Sequence, residues 1–251
     1  MKFSKKKIIN HIRKKLKDSF VVSGWMQICS AEIAEIFSQK NFDVITLDLE
    51  HGSFDIHELN GIFRAIENGG KLPLVRLPNH SKENLGQIFD AGSGGVIIPN
   101  INNLKELVGI SKYCFWPPKG KRGVGFSRAN SYGNRFEENK NDDPIIIAMI
   151  ENIKAINNLD EILKYEFLDA ILIGPYDLSA SMGSPGNFKS KKFKLTLNLI
   201  KSKCKQYKIP CGIHVVKPSK KEFNQYKKKG FKFLPFSMDT VLLNESLNLK
   251  F

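Results

Sequence analysis

The chain of 251 residues is predicted to adopt an α/β fold, a (β/α)8 TIM barrel, from three observations. Eight short apolar runs, rich in β-branched residues, recur along the chain. They lack the polar alternation expected of strands with one wet face, so they indicate strands of a parallel sheet covered by helices. Each run except the last is followed by a stretch with helical spacing, which counts out a barrel. A doubly wound open sheet is the alternative, weakened because no G-x-G-x-x-G follows the first run.

The elements follow in order along the chain. The basic N-terminal segment places Ile8, Ile9, Ile12 and Leu16 at helical spacing, which predicts an amphipathic helix laid on the body. The predicted strands are 20–26, 43–49, 72–77, 95–98, 145–150, 170–173, 211–215 and 231–234. The clearest amphipathic helices between them are 31–41, 55–69, 82–92 and 153–166. Three helices are expected to end at glycine, namely Gly69, Gly92 and Gly230.

Length and composition predict one domain over residues 1–251, without a linker or a low-complexity tail. The longest apolar runs fall far short of the roughly 20 residues that cross a bilayer. The N-terminus has no apolar core of a signal peptide, so we expect a cytoplasmic protein with no membrane partner. The four cysteines show no CxxC pair or metal-ligand spacing, and we expect free thiols.

The net charge of +14 raises the question of nucleic-acid binding. The lysines are scattered through the N-terminus, 189–208 and 217–232, without interleaved aromatics or a recognisable reader motif. We therefore expect no nucleic-acid partner. A basic surface is expected instead to attract small anions.

Polar residues follow several predicted strands at the point where each strand ends. These residues are Asp48, His51, Arg76, Glu151 and Asp177. Each alone has a structural interpretation, such as a helix cap or a salt bridge. All of them, however, fall on the C-terminal rim, where the active sites of such barrels lie.

The combination also suggests a chemistry. Glu151 and Asp177 offer the oxygen ligands that Mg²⁺ or Mn²⁺ prefers, leaving positions open for an α-keto acid. Arg76 would stabilise negative charge on the keto oxygen. His51 is a candidate acid/base, with Asp48 available to orient it.

A long basic loop, 114–136, separates the fourth and fifth strands. It carries Lys119, Lys121, Arg122, Arg128 and Arg135 among glycines and aromatics. Loops of this length are often lids or binding loops. A solvated insertion or an oligomer contact is an equal alternative.

Several ordered motifs resemble the class II, metal-dependent HpcH/HpaI aldolases, which include 4-hydroxy-2-oxoheptanedioate aldolase and 2-dehydro-3-deoxyglucarate aldolase. The resemblance spans about residues 18–246. The motifs are FDVITLDLEHGSFD, PLVRLP, IFDAGSGGVIIPNINNLKE, WPPKGKRGVGFSRANSYG, IENIKAINNLDEIL, LDAILIGPYDLSASMGSPG and MDTVLL. It implies a barrel of the phosphoenolpyruvate/pyruvate superfamily type.

The resemblance also implies roles at matching positions. Glu151 and Asp177 match the two metal ligands, His51 matches the catalytic histidine with Asp48 as its acidic partner, and Arg76 matches the arginine that supports pyruvate. Backbone around Gly174 and Pro175 matches the contact to the substrate carboxylate. Met149 replaces the usual glutamine of a QIE motif, so this substrate-binding position departs from the family.

The implied function is that of a lyase, a class II pyruvate aldolase. It would reversibly cleave a 4-hydroxy-2-oxo acid to pyruvate and an aldehyde through a metal-bound pyruvate enolate. The implied cofactor is Mg²⁺ or Mn²⁺, with Co²⁺ as an alternative. The implied assembly is a homohexamer, a trimer of dimers, in which the C-terminal helix packs on a neighbouring subunit. A citrate-lyase-β-like acyl-CoA lyase, a decarboxylase using the same enolate and a non-catalytic barrel are the alternatives.

Overall fold

Eight parallel strands form a closed barrel in the computed structural model, which describes residues 4–140 and 142–248. Each strand pairs with the next along the chain, and β8 returns to β1, so the barrel prediction is confirmed and the open sheet is excluded. The strands are β1 Val21–Met26, β2 Val44–Asp48, β3 Leu72–Arg76, β4 Gly95–Ile98, β5 Ile145–Ile150, β6 Ala170–Ile173, β7 Cys211–Ile213 and β8 Phe233–Pro235.

Helices fill the intervals between the strands, and those predicted at 31–41, 55–69 and 82–92 are present with shorter bounds. They are α1 Lys5–Asp18, α2 Ala31–Ser38, α3 Leu59–Asn68, α4 Lys82–Ala91, α5 Leu104–Ser111, α6 Phe136–Asn139, α7 Ile153–Asn157, α8 Leu159–Ile162, α9 Pro175–Ser181, α10 Lys191–Tyr207, α11 Lys220–Lys228 and α12 Asp239–Ser246. Short 3₁₀ turns cover Ile56–Glu58 and Arg128–Asn130. The predicted helix 153–166 divides into α7 and α8 at Asn158, which follows one helix and precedes the other.

Capping side chains fix several helix starts. Ser30, Ser81 and Asn103 each accept a hydrogen bond from the backbone amide three residues later, where the first helical turn has no internal partner. Gly92 ends α4 with φ of 117°, a left-handed conformation that glycine adopts without steric cost. These local signals set where the chain leaves each helix to enter the next strand.

Helix α1 closes the N-terminal end of the barrel. Ile9, Ile12 and Leu16 are buried in one cluster with the inward-facing side chains of the strands. The predicted amphipathic helix is therefore confirmed, and its apolar face forms the floor of the barrel interior. The outward faces of the strands pack against the helices in a second, larger cluster.

The long basic loop lies at this same N-terminal end. Helix α5 lies between β4 and the loop, so the chain has already returned to the start of the strands when the loop begins. Arg122 binds Asp90 at 2.7 Å and stacks over the Phe89 and Trp116 rings, and Arg128 pairs with Glu67. The loop is pinned to the outside of the barrel at the end opposite the strand C-termini, so it is not a lid over the rim of its own subunit.

The C-terminal helix α12 exposes two leucines one turn apart, Leu243 and Leu247. Among the residues that the structure describes, no helix is long and apolar enough to span a bilayer. The predicted cytoplasmic location stays a prediction.

Candidate active site

A cleft of about 330 Å³ opens at the C-terminal rim of the barrel. Its walls come from the segments that follow β2, β4, β5 and β6, as the order of parallel strands requires. The lining residues are Glu50, His51, Asn100, Glu151, Asn152, Asp177 and Ser181. Three carboxylates and a histidine from distant parts of the chain therefore meet in one place.

Arg76 lies just below this cleft and is held in a fixed orientation. Its Nε and Nη2 donate to the two carboxylate oxygens of Asp48 at 2.8 and 2.6 Å, and its Nη1 lies 2.8 Å from Glu50 Oε2. The guanidinium also lies 5.3 Å from the ring centroid of Trp25. This arrangement leaves Nη1 as the end of the guanidinium that reaches toward the cleft.

Asp48 is fully buried and is the hub of the polar layer beneath the cleft. Burial alone would raise the pKa of its carboxyl, but the hydrogen bonds and charge of Arg76, with Gln27 and Trp25, outweigh burial and lower the pKa to about 2. The carboxylate is therefore ionised at neutral pH.

The predicted pairing of Asp48 with the imidazole of His51 has a different form in the structure. Asp48 Oδ1 accepts a hydrogen bond from the backbone amide of His51 at 3.1 Å, and its side-chain donors are Arg76, Gln27 and Trp25. Asp48 thus fixes the turn that carries His51 and does not orient the ring. The ring itself is exposed at the cleft. The structure differs from the prediction because Asp48 and His51 are only three residues apart in a tight turn. At this spacing the Asp48 carboxylate reaches the main-chain amide of His51 and not its ring.

Glu151 follows β5 directly and is almost fully buried. Its Oε2 accepts a hydrogen bond from the amide of Asn100 at 2.8 Å. Burial, assisted by the neighbouring charges of Glu50 and Asp177, raises the pKa of Glu151 to about 7. A buried carboxylate that is crowded by two others is an environment in which a cation would be stabilised.

Asp177 lies in the first turn of α9, the helix that follows β6. Gly174 caps this helix and Pro175 is its first residue, which suits proline because that position needs no amide donor. A Cβ on Gly174 would lie 2.8 Å from Glu151 Oε1 and 3.0 Å from its Cγ. Gly174 therefore leaves the space that the Glu151 carboxylate occupies, and the turn presents Asp177 to the same cleft.

The carboxylates of the cleft suit a hard divalent cation that is bound by only a few protein ligands. Glu151 and Asp177 supply carboxylate oxygens, the ligand type that Mg²⁺ and Mn²⁺ prefer. Within residues 4–140 and 142–248, no group of three or more His, Cys, Asp or Glu side chains is placed to hold a metal ion. A site with two protein carboxylates would leave the remaining positions to water and substrate.

Met149, the substrate-binding position predicted from the sequence, and His214 both lie below the cleft. Met149 is 2% exposed and packs in the barrel interior with Trp25, Leu74 and Leu172, so it does not line the cleft. His214, directly after β7, packs against Trp25 with ring centroids 4.6 Å apart at an interplanar angle of 43°, and it donates through Nε2 to the carbonyl of Ser237. Burial, assisted by the charge of Arg76, lowers the pKa of His214 to about 4, so the ring is neutral at pH 7.

Sequence reasoning assigned no role to Glu50 and Asn100. Glu50 lies between Asp48 and His51, and its ion pair with Arg76 depends on the turn after β2. Asn100 has φ of 51°, a left-handed conformation that asparagine tolerates better than most residues, and this conformation accompanies its amide bond to Glu151. The only signal in the sequence is that Asn100 directly follows Pro99, the residue after β4.

The chain is similar to known aldolases along most of its length. The family model for HpcH/HpaI aldolase/citrate lyase matches residues 23–245. A 2-keto-3-deoxy-L-rhamnonate aldolase of Escherichia coli K12 is 28% identical over 244 residues, covering 95% of this chain and 91% of its own length. A hydroxypyruvate/pyruvate aldolase of Roseobacter denitrificans is 28% identical over 194 residues, covering 75% of this chain and 76% of its own length.

The same fold is present in a solved structure. An HpcH/HpaI aldolase/citrate lyase family protein from Burkholderia cenocepacia J2315 superposes with a TM-score of 0.88 at 23% identity, covering 94% of this chain and 96% of that one. This likeness supports the barrel architecture.

Proposed function

The chain belongs to the HpcH/HpaI aldolase/citrate lyase family, and on that premise we propose that it is a metal-dependent pyruvate aldolase. The proposed reaction is reversible cleavage of a 4-hydroxy-2-oxo acid to pyruvate and an aldehyde. The observation that carries the proposal is the meeting of Glu151 and Asp177 in one rim cleft, beside His51 and above Arg76. The aldolases named among its relatives support the same reaction class.

Glu151 and Asp177 are proposed to hold the divalent cation, with Mg²⁺ or Mn²⁺ preferred and Co²⁺ as an alternative. When bound, such a cation supplies Lewis-acid polarisation of a keto carbonyl. The chain contributes rigidity to the site, because Asn100 fixes one oxygen of Glu151 and Gly174 leaves room for the other. Glu151 is therefore held in place at the cleft and needs little reorganisation to bind the ion.

Arg76 is proposed to stabilise the negative charge of the pyruvate enolate. Asp48 sets its orientation through Nε and Nη2, and Nη1, on the cleft side, is paired with Glu50. A preorganised charge of this kind stabilises developing charge without rearrangement during the reaction. His51, exposed in the same cleft, is proposed to transfer the hydroxyl proton of the substrate, directly or through a water.

The turn at Gly174 and Pro175 is proposed to bind the carboxylate of the keto acid. The amide of Gly174 donates to the carbonyl of Ile150 at 3.4 Å, and Pro175 has no amide donor. The amides that the turn can offer therefore belong to Tyr176 and Asp177, which lie in the first turn of α9. Met149 contributes only apolar packing beneath this contact.

The charge of the cleft bears on which class of aldehyde the enzyme would accept. The lining contains three carboxylates, two asparagines and a serine but no lysine or arginine, and the basic loop lies at the other end of the barrel. An anionic aldehyde would meet the charge of Glu50, whereas a hydroxyaldehyde would find hydrogen-bond partners in Asn152 and Ser181. We therefore propose a neutral, hydroxylated acceptor, and the basic loop gives no support for an anionic one.

The proposed assembly is a homohexamer, a trimer of dimers, with α12 packed on a neighbouring subunit. Its support in this chain is the exposure of Leu243 and Leu247 on one side of α12, because such leucines are better accommodated in an interface. The mass in solution, measured by light scattering, tests it. A monomeric mass at micromolar concentration would exclude it.

The second candidate is an acyl-CoA lyase, which the citrate-lyase part of the family description favours. The two are separated by incubating the protein and Mn²⁺ with pyruvate and either lactaldehyde or glyceraldehyde, and in parallel with citryl-CoA or malyl-CoA. Formation of a 4-hydroxy-2-oxo acid, detected by mass spectrometry, is the expected result. Turnover of an acyl-CoA alone would support the lyase. No turnover of any substrate by folded, metal-loaded protein would favour a non-catalytic barrel.

A further inference from the structure

A second concave site lies at the N-terminal end of the barrel, away from the rim cleft. This groove, about 960 Å³ in volume, runs between the end of α1, the end of α10 and the segments that lead into β7 and β8. Six lysines line it, and we call it the lysine groove. They are Lys17, Lys201, Lys205, Lys208, Lys229 and Lys232. The lining contains no acidic residue.

The fold brings these lysines together from three separate stretches of sequence. Lys17 lies in the last turn of α1, Lys201 to Lys208 lie on and just after α10, and Lys229 and Lys232 follow α11. Their scatter along the chain is the reason that the sequence shows no basic stripe. The closed barrel places the ends of these helices side by side.

The groove lysines differ from neighbouring cations in their lack of carboxylate partners, and two of them, Lys201 and Lys229, lie instead over the rings of Phe231 and Tyr226. On α1, Lys15 pairs with Asp43, and on α10, Lys203 pairs with Asp160. Within the part of the chain that the structure describes, none of the six groove lysines forms an ion pair with a carboxylate. Asp18 follows Lys17 in sequence but does not line the groove. Like charges gathered without counter-charges repel one another, and a bound anion would relieve that repulsion.

Helix dipoles explain only part of this pattern. Lys17 and Lys205 lie in the last turns of their helices, where a positive charge is favourable. Lys201 lies further inside α10, and Lys232 lies next to β8. Their convergence on one concave surface needs a different reason.

The floor of the groove is apolar. Leu16, Cys204, Pro210 and Cys211 line it, and all four are buried. Small-molecule sites are typically concave, of this size, and combine an apolar surface with a few polar anchors. A flat, wholly charged surface would suit a membrane or a nucleic-acid backbone better.

We propose that the lysine groove binds a small molecule that carries two or more phosphate groups beside an aromatic or apolar part, for which a nucleoside polyphosphate is the simplest model. The phosphates lie among the lysines, which act as point charges. The ring lies on the apolar side of the groove, against the half-buried side chain of Ile209. The proposal does not rest on the proposed function of the rim cleft.

The test uses ATP as the probe, with AMP and inorganic tripolyphosphate for comparison, in isothermal titration at low salt. EDTA is present so that no metal bridges ATP to the rim carboxylates. We expect ATP to bind more tightly than AMP, which has fewer charges, and more tightly than tripolyphosphate, which has no ring. The Asp177→Ala variant should bind ATP like the wild type, which separates this site from the rim.

Two triple variants of α10 and its C-terminal cap provide the control. Lys201→Gln/Lys205→Gln/Lys208→Gln neutralises three groove lysines, and Lys191→Gln/Lys192→Gln/Lys194→Gln neutralises three exposed lysines at the other end of the helix. We expect the groove variant to lose about tenfold or more in ATP affinity, a difference of about 1.4 kcal/mol, because three charges that would bind the phosphates are removed. The control variant should change by less than about twofold, a difference of about 0.4 kcal/mol.

Other outcomes would overturn the proposal. Equal losses in both variants would indicate unspecific attraction by net charge, and tripolyphosphate binding as tightly as ATP would exclude the ring contact. Absence of ATP binding at millimolar concentration would exclude the site. Sedimentation with phosphatidylserine vesicles, or binding of a single-stranded RNA, that ATP does not displace would assign the lysines to a macromolecular surface instead.

Discussion

Arg76 and Asp48 form a buried two-point ion pair, with Nε to Oδ1 at 2.8 Å and Nη2 to Oδ2 at 2.6 Å. The pair joins the ends of β2 and β3, whose last residues are these two partners in register. It fixes the guanidinium plane beneath the rim cleft. Because Asp48 also accepts the amide of His51, one carboxylate positions both the predicted charge-stabilising residue and the predicted acid/base.

Removing the charge of Asp48 should destabilise the protein. Asp48→Asn leaves the guanidinium of Arg76 buried beside a neutral amide, and breaking a buried pair in this way costs about 3–5 kcal/mol. We expect a loss of about 3 kcal/mol in the free energy of unfolding, measured by urea denaturation. Asp160→Asn is the matched control, because its ion pair with Lys203 is on the surface and the loss should be much smaller. Similar losses in the two variants would contradict the structural role of Asp48.

A methyl group on Gly174 should disturb the metal site without unfolding the chain. The added Cβ would lie 2.8 Å from Glu151 Oε1, so the carboxylate must move. We expect Gly174→Ala to weaken Mn²⁺ binding by about tenfold or more, measured by electron paramagnetic resonance, which is the range for altered support of metal ligands. Gly61→Ala is the control, because nothing lies within 4 Å of its added Cβ. Unchanged Mn²⁺ affinity in Gly174→Ala would argue against Glu151 as a ligand.

His214 should make the protein less stable as the pH falls from 6.5 to 4. Its folded pKa is about 4, mainly because of burial, whereas its ordinary value is 6.5. The unfolded chain therefore binds more protons in this window, and the stabilisation, complete above pH 6.5, is lost on acidification. The loss attributable to His214 is about 3 kcal/mol.

The comparison is made with His214→Gln, whose amide can still donate to the carbonyl of Ser237. We expect the stability difference between wild type and variant to shrink from pH 7 to pH 4, measured by urea denaturation at each pH. Glu151 acts in the opposite direction over part of this window, because its pKa is raised, but it is present in both proteins and cancels. A constant difference across the window would show that the folded pKa of His214 is not lowered.

The charge of the cleft predicts its acceptor preference. We expect kcat/KM for lactaldehyde or glyceraldehyde to exceed that for succinic semialdehyde by about tenfold or more, the factor that a repulsion of about 1.4 kcal/mol produces. Glu50→Gln should narrow this gap by raising kcat/KM for succinic semialdehyde, because it removes a negative charge from the cleft. The variant should keep Arg76 in place, since Arg76 retains its contact with Asp48. A preference for the anionic aldehyde in the wild type would contradict the proposed substrate class.

The barrel could be predicted because its signals are local. Apolar runs without alternation mark the buried strands, and Ile9, Ile12 and Leu16 mark the face of α1 that closes the floor. The last two strands are shifted or shortened relative to the prediction, to Cys211–Ile213 and Phe233–Pro235. Strand ends depend on pairing with neighbours, which the spacing of apolar residues does not encode.

The site could be predicted only as a set of rim positions. Strand order places Glu151 and Asp177 in one cleft, and both are there. The contact of Asp48 with a main-chain amide, and the positive φ of Asn100, arise from the exact path of two turns, which residue type alone does not determine. Met149 follows strand geometry into the interior, because β5 is buried on both faces.

The partners of the basic residues could not be predicted from the sequence. Arg122 and Arg128, which suggest a binding loop in the sequence, neutralise Asp90 and Glu67 on α4 and α3. Lysines that look scattered in the sequence converge in the lysine groove. Charge along a chain therefore gives no account of pairing, which depends on contacts between residues far apart in sequence.

Exchange of the pyruvate methyl protons in D₂O, followed by NMR, tests enolate formation at the rim cleft most directly, because it needs no aldehyde. The wild-type protein is measured with a low concentration of Mn²⁺, with Mg²⁺ and with EDTA. The Asp177→Ala variant and the surface control Asp160→Ala are measured with the same metals. We predict exchange that requires the metal, persists in the control and is abolished in Asp177→Ala. Absence of exchange in folded wild-type protein with either metal, or undiminished exchange in Asp177→Ala, would contradict a pyruvate aldolase that uses Glu151 and Asp177.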